Sequence, residues 1–147
     1  VEIIVSVKEL SEIRALEGAN LTCREFSSPQ LKVFHSGTGK VFLEDINSPS
    51  IYLQQNGSGT SSLKGSRTET FEVELEGGGH LDASDLEVGS AKVIHQGSGS
   101  IQINSMQWLD ARILSSGSIL LYRDPEKMVI EQKGSGRIRS LFTKMKE

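Results

Sequence analysis

The sequence is poor in the residues on which several common classes of protein depend. Its 147 residues include one cysteine, three prolines and 5% aromatic residues, and its net charge is -3. The lone Cys23 excludes an internal disulfide framework and a cysteine-rich zinc site. The acidic balance excludes a generally basic nucleic-acid binder. No run of about 18 apolar residues is present, so the sequence contains no transmembrane segment.

Glycine, in contrast, is abundant and regularly placed. Twelve of the 15 glycines fall in triplets of the form Gly-x-Gly or in a degenerate copy, and the closing glycines are 20, 20, 20, 18 and 19 residues apart. A fixed period near 20 is typical of a solenoid. The predicted structural turns, together with Gly78, comprise Gly37, Gly39, Gly57, Gly59, Gly77, Gly79, Gly97, Gly99, Gly117, Gly134 and Gly136.

The apolar residues follow the same period as the glycines. Residues two and four positions after a closing glycine are mostly apolar, as at Val41 and Leu43, and polar residues alternate with them. This period of two indicates strands. Pro29 and Pro49 lie half a repeat away, where proline suits a second corner. We therefore predict an all-β fold, a right-handed single-stranded parallel β-helix of about seven coils with about 20 residues each.

The domain organisation follows from this repeat. We expect one β-helix domain over residues 1–147, since a length near 150 residues is typical of a single domain. Residues 21–140 would form the coils. Residues 1–20 would form an N-terminal capping segment, and residues 141–147 would cap the C-terminal end, because the open strand edges of a solenoid need cover.

The glycine triplets are better explained as corners than as phosphate-binding loops. A sharp bend needs a positive φ and the absence of a Cβ atom, and glycine supplies both. A dinucleotide-binding fingerprint needs a helix after the glycines, and no helix signal follows any triplet. We therefore predict no cofactor.

The repeated turns resemble those of a known bacterial family. The segments "LKVFHSGTGKVFL", "IYLQQNGSGTSSLKG", "AKVIHQGSGSIQI" and "GSILLYRDPE" are similar to those of the putative auto-transporter adhesin, head GIN domain family. Ser115 and Asp124 stand where that family usually has glycine. The resemblance implies a right-handed β-helix of the bacterial cell envelope, common in the Bacteroidetes, with an adhesin role and no catalytic residues to carry over.

The three histidines are the first candidates for a metal site. His35 and His95 are expected at equivalent positions of their coils, that is, in one column along the solenoid. They lie three coils apart, or about 14 Å at the spacing between stacked strands (the rungs), so they cannot share an ion. His80 follows a glycine corner and should point outward. We interpret all three as polar surface residues near corners, and we predict no metal site.

Carboxylates are the next candidates, because many β-helices cleave polysaccharides. A glycosidase needs two carboxylates roughly 5 to 9.5 Å apart. Asp45 and Asp85 are expected two coils apart, about 10 Å, and Asp82 should project differently from Asp85. Trp108 and Tyr122 are scattered, so neither pair has aromatic residues to stack a sugar ring. We predict that the chain is not an enzyme.

Apolar residues that point outward give the better functional clue. Phe34, Phe42, Tyr52 and Ile94 all alternate with inward neighbours and form a possible interaction surface. The leading hypothesis is a non-catalytic cell-envelope module, an adhesin or assembly scaffold that binds an unknown protein or glycan or forms a homo-oligomer. A polysaccharide-active β-helix enzyme is the alternative, and a self-assembling scaffold similar to the bactofilins is the second alternative.

Overall fold

The computed structural model describes residues 2–5 and 12–140, and within these residues it contains strands and no helix. No segment of this part of the chain forms a helix suited to crossing a membrane. The strands, in chain order, are β1 Glu2–Val5, β2 Glu12–Ala15, β3 Asn20–Ser27, β4 Leu31–Ser36, β5 Lys40–Asn47, β6 Ser50–Asn56, β7 Thr60–Gly65, β8 Thr68–Gly77, β9 His80–Gly97, β10 Ser100–Ile113, β11 Ser118–Leu121, β12 Lys127–Gln132 and β13 Ile138–Ser140.

The strands form two parallel stacks. The first stack follows the glycine corner of each coil and contains β1, β3, β5 and β7, the first parts of β9 and β10, then β11 and β13. The second stack precedes that corner and contains β2, β4, β6 and β8, the later parts of β9 and β10, then β12. Strands β9 and β10 each run through both stacks. Every one of these pairings is parallel, as a β-solenoid requires.

The pairing register reproduces the spacing of the glycines. Val41 lies beside Ser61, 20 positions on, whereas Ile101 lies beside Ile119, only 18 positions on. The chain therefore forms a β-solenoid of about 6 turns with about 20 residues per turn. The solenoid and its period are confirmed. The sequence predicted about seven coils, against the about 6 turns that the structure describes. The predicted C-terminal cap at residues 141–147 lies outside the described residues.

Inward side chains fill the interior as continuous columns. One column of the second stack runs Leu31, Ile51, Phe71, Ala91 and Leu109, all at most 2% exposed. Phe71 is the one aromatic residue among the buried hydrophobic side chains of the described part. Close-packed aliphatic columns therefore supply most of the core, which accounts for the low aromatic content of the sequence.

The glycine corners stack directly on one another. The opening glycines Gly37, Gly57 and Gly77 have φ values of 104°, 115° and 90°, a region that side-chain-bearing residues rarely adopt. The closing glycines have a different role, because a Cβ atom on Gly39 would lie 1.8 Å from the carbonyl oxygen of Ala19 in the coil below. Gly59 N donates to Gly37 O at 3.0 Å across the same corner.

Each early coil also bends within its first strand, which the sequence did not indicate. Glu25 and Asp45 adopt positive φ values of 53° and 55°. Leu43 and Ile46 both point inward although two residues separate them, and the pairing of β5 with β7 shifts register there. Such a bulge bends its strand, so the coil has one more bend than the two predicted corners.

Candidate functional site

The structure brings two of the four predicted interaction residues together. The rings of Phe34 and Tyr52 meet edge to face, with centroids 6.1 Å apart and planes at 67°. Phe42, which is 40% exposed, lies on the first stack, on a different face. Ile94 shares the column of Phe34, but three rungs away, about 14 Å. The four residues therefore do not form one patch.

Arg14 completes a small cluster with the two rings that meet. Its guanidinium carbon lies 4.6 Å from the centroid of the Phe34 ring, within the range of a cation–π contact, and its Nε donates to the Glu12 carboxylate. We call Arg14, Phe34 and Tyr52 the aromatic cluster. Burial, and next the negative charge of Glu74, raise the pKa of Tyr52. A hydrogen bond to the Glu74 side chain also raises the pKa of Tyr52, because it holds the hydroxyl in its neutral form.

A second surface feature surrounds Trp108, an aromatic residue that the sequence pattern did not predict to lie beside a carboxylate pair. A shallow depression of about 200 Å³ lies on the second stack. Its lining includes Thr70, Glu72, Ser90, Lys92, Trp108 and Asp110. The side chain of Trp108 is exposed at 37%. The register of β10 against β9 shifts between Ser105 and Trp108, so counting residues from the glycine corner does not predict where this side chain lies.

Two of the histidines are buried, so their interpretation as surface residues was wrong. His35 is 2% exposed and His95 is fully buried. Both continue the inward alternation of their strands, at the last inward position before a glycine corner. His80 is exposed as expected, and its Nδ1 lies 3.0 Å from Ser100 Oγ. The imidazoles of His35 and His95 therefore act inside the solenoid and offer nothing to an outside ligand.

Two inward side chains, His95 and Gln55, hold glycine corners from within. His95 Nε2 donates to the carbonyl oxygen of Gly99 at 2.8 Å, while Nδ1 accepts from Gly97 N at 3.3 Å. Gln55 Nε2 makes the equivalent bond to Gly59 O at 2.9 Å. In each case an inward side chain satisfies the carbonyl of the closing glycine four residues later, which meets the need of a buried carbonyl for a donor.

His35 belongs to a buried polar network. Its Nδ1 lies 2.9 Å from Ser61 Oγ, which in turn donates to Gln55 Oε1 at 2.7 Å. The Nε2 atom of His35 is buried without a hydrogen-bond partner. Burial lowers the pKa of His35, against smaller opposing effects of Gly39 and Gln55. Burial likewise lowers the pKa of His95. Both imidazoles are therefore neutral at pH 7.

The other titratable residues singled out in the sequence occupy ordinary structural positions. Asp82 accepts hydrogen bonds from the backbone N and the Oγ of Ser84 at 3.1 and 2.7 Å, and Asp85 lies beside Lys64 in the strand register. Cys23 is 1% exposed, and burial raises the pKa of its thiol. Across residues 2–5 and 12–140, no group of three or more potential ligands is placed to hold a metal ion.

Comparison with known proteins agrees with this geometry. The family model described as "Putative auto-transporter adhesin, head GIN domain" matches residues 1–125. The crystal structure of a putative adhesin from Bacteroides fragilis resembles the chain with a TM-score of 0.76, covering 95% of this chain and 91% of that one at 15% identity. That likeness is one of fold. No curated protein matches the chain. The resemblance inferred from the glycine turns is thus confirmed, and the chain belongs to the family described as "Putative auto-transporter adhesin, head GIN domain".

Proposed function

We propose that this chain is a non-catalytic module of a bacterial cell envelope, whose outer surface binds a protein or glycan at the cell surface. The main support for this proposal is the packed interior. Columns of aliphatic side chains that are 0–8% exposed fill it from coil to coil. Groups able to contact a ligand therefore lie on the outside of a regular scaffold. The description of the family as an adhesin supports both the binding role and the envelope location.

The aromatic cluster is the part of the predicted interaction surface that we favour for binding. Phe34 and Tyr52 are half-buried, so each has one edge packed on the scaffold and one in contact with solvent. Aromatic residues held in this way lose little side-chain entropy when a partner binds, and they dominate many interfaces. Phe42 and Ile94 are isolated from the cluster, and their part in binding stays a prediction.

An array of glycans and matrix proteins tests this proposal. We expect the wild type to be retained by at least one component, and Phe34→Ser and Tyr52→Ser each to weaken that retention at least tenfold, or about 1.4 kcal/mol. Phe42→Ser is the comparison variant: it removes an exposed aromatic ring from another face and so tests separately whether that predicted residue takes part in binding. Retention of the wild type by no component would refute the adhesive role. Equal losses in all three variants would refute the cluster as its site.

A polysaccharide-active enzyme is the second candidate, and one observation favours it. Glu72 and Asp110 stand on either side of Lys92 in one column, two rungs or about 9.6 Å apart, with Trp108 beside them. That separation is close to the 6.5–9.5 Å of inverting glycosidases. Lys92 stands between the two carboxylates, where such an enzyme needs room for water, and this favours the non-catalytic role.

Release of reducing ends from a polysaccharide panel separates the two candidates. The binding role predicts no release by the wild type above the level of Glu72→Gln. Release that disappears in both Glu72→Gln and Asp110→Asn would identify an enzyme and overturn the non-catalytic proposal.

Self-association is a further expectation that the C-terminal end of the solenoid makes testable. Met128, Val129 and Ile130 are 44–48% exposed on β12, which pairs with β10. Among residues 12–140, β12 pairs with β10 alone, and an apolar strand edge of this kind favours pairing with another chain. We expect a concentration-dependent increase in sedimentation coefficient that Val129→Lys abolishes. A monomer at all concentrations would exclude both the homo-oligomer and the bactofilin-like scaffold.

A further inference from the structure

The depression beside Trp108 combines an exposed indole with small hydroxyl side chains. Ser90 pairs with Trp108 in the strand register, and Thr70 pairs with Ser90 one rung further on. Ser90 and Thr70 are too short to cover the indole from their side, which is consistent with its 37% exposure, and Lys127 pairs with Trp108 on the opposite side. An exposed tryptophan in a chain with so few aromatic residues leaves an apolar surface beside polar groups.

The next column supplies charged groups at a regular spacing. Glu72, Lys92 and Asp110 follow one another at adjacent rungs, roughly 4.8 Å apart. None of the three has an ion pair within 4 Å in the described part of the chain. No ion pair therefore occupies these groups, and two acceptor groups flank one donor.

We propose that this depression binds one neutral pyranose ring of a glycan. A pyranose has one face of apolar C–H groups, which would lie on the indole of Trp108, and a rim of hydroxyls, which would donate to Glu72 and Asp110 and accept from Lys92. The volume of about 200 Å³ fits a single ring. The excess of carboxylates over ammonium groups disfavours a phosphate, sulfate or uronate.

This inference rests on the proposed function, for which it names the class of ligand, but it concerns another site. The aromatic cluster lies in the earliest coils, on strands β2, β4 and β6, whereas Trp108 lies on β10. Tyr52 pairs with Glu72 in the strand register, so the two sites adjoin, whereas Asp110 lies two rungs beyond Glu72 and belongs to the depression alone. A stacked peptide side chain is the competing occupant, and the experiment distinguishes it from a sugar.

Trp108 is the sole tryptophan of the chain, so intrinsic fluorescence reports on this depression alone. We would titrate the wild type with the methyl glycosides of glucose, galactose and mannose, with glucuronate, and with a short tryptophan-free acidic peptide. We expect a saturable change in emission with at least one neutral glycoside, at a dissociation constant on the order of 1 mM. The double variant Glu72→Gln, Asp110→Asn should bind that glycoside at least tenfold more weakly.

The matched control is Glu76→Gln, Glu126→Gln, which removes the same charge from exposed positions outside the depression and should bind as the wild type does. The absence of a saturable response to any neutral glycoside would overturn the inference, as would a preference for glucuronate or the peptide, or an equal loss in the control. Retention by a matrix protein on the array without a glycoside response would refute this site and leave the adhesive role standing. A glycoside response without retention on the array would support this site and refute the adhesive role.

Discussion

Adding one methyl group at a closing glycine should separate two coils. In the triplet Gly77-Gly78-Gly79, a Cβ atom on Gly79 would lie 2.5 Å from both Gly59 O and Gln55 Nε2, which are themselves hydrogen-bonded to each other. A Cβ atom on Gly78 would meet only Ser98 Oγ, at 3.6 Å. Two adjacent residues of one corner thus differ in the space available to them, and Gly78→Ala is the matched control for Gly79→Ala.

The expected cost of Gly79→Ala combines two effects. Overpacking of a close-packed interior costs about 1–3 kcal/mol, and displacement of the Gln55 amide removes a hydrogen bond worth about 1 kcal/mol. A loss of about 3 kcal/mol corresponds to a fall in Tm of roughly 6–12 °C for a chain of this length. Gly78→Ala should change the free energy of unfolding by less than about 1 kcal/mol. Alanine at a position whose backbone tolerates it stabilises the fold slightly, because it restricts the unfolded chain.

Urea unfolding followed by far-UV circular dichroism measures both variants. The midpoint should fall for Gly79→Ala at an unchanged m-value, because the surface exposed on unfolding stays the same. Equal midpoints for the two variants would refute the steric account of the closing glycines.

Three further predictions concern the interior. Burial lowers the pKa values of His35 and His95, so the unfolded chain binds more protons than the folded one as the pH falls below about 6.5, and stability should decline there. The Tm should therefore fall less between pH 7.5 and 5 in the double variant His35→Gln, His95→Gln than in the wild type, and an equal fall would contradict this. Phe71→Ala should cost about 3–5 kcal/mol in urea unfolding, because this fully buried ring leaves a cavity. Cys23 should react with a thiol reagent only after denaturation, because its thiol is buried and its pKa is raised; rapid reaction of the native chain would contradict this.

The fold could be predicted from the sequence because one residue type carries its geometry. Each closing glycine lies where two backbones approach too closely for a side chain, so the glycine spacing is also the register of the coils. The bends at Glu25 and Asp45 could not be predicted in this way, because residues of ordinary polar type adopt positive φ there. A bulge is fixed by its neighbours in the coil and leaves no repeated letter in the sequence.

The candidate sites were less accessible to sequence reasoning, for two physical reasons. Strict alternation from Leu31 and Val33 already puts His35 on the inner face, but the usual exposure of histidine outweighed that signal. Trp108 follows a register shift, and its neighbours Lys92 and Glu72 come from the two preceding coils, so their proximity depends on pairing that spacing alone does not give. The contact between Phe34 and Tyr52 is likewise diagonal between rungs.

The central claim is that stacked glycine corners hold the outer columns at fixed spacing. Thr38 and Ser135 occupy the middle position of two corner triplets, five coils apart, so their Cα atoms should be roughly 24 Å apart at a rung spacing of about 4.8 Å. Spin labels on Thr38→Cys and Ser135→Cys, with Cys23→Ala to leave no other thiol, allow this distance to be measured by double electron–electron resonance. The account predicts one narrow distribution near that distance; a broad distribution spanning tens of ångströms would contradict it.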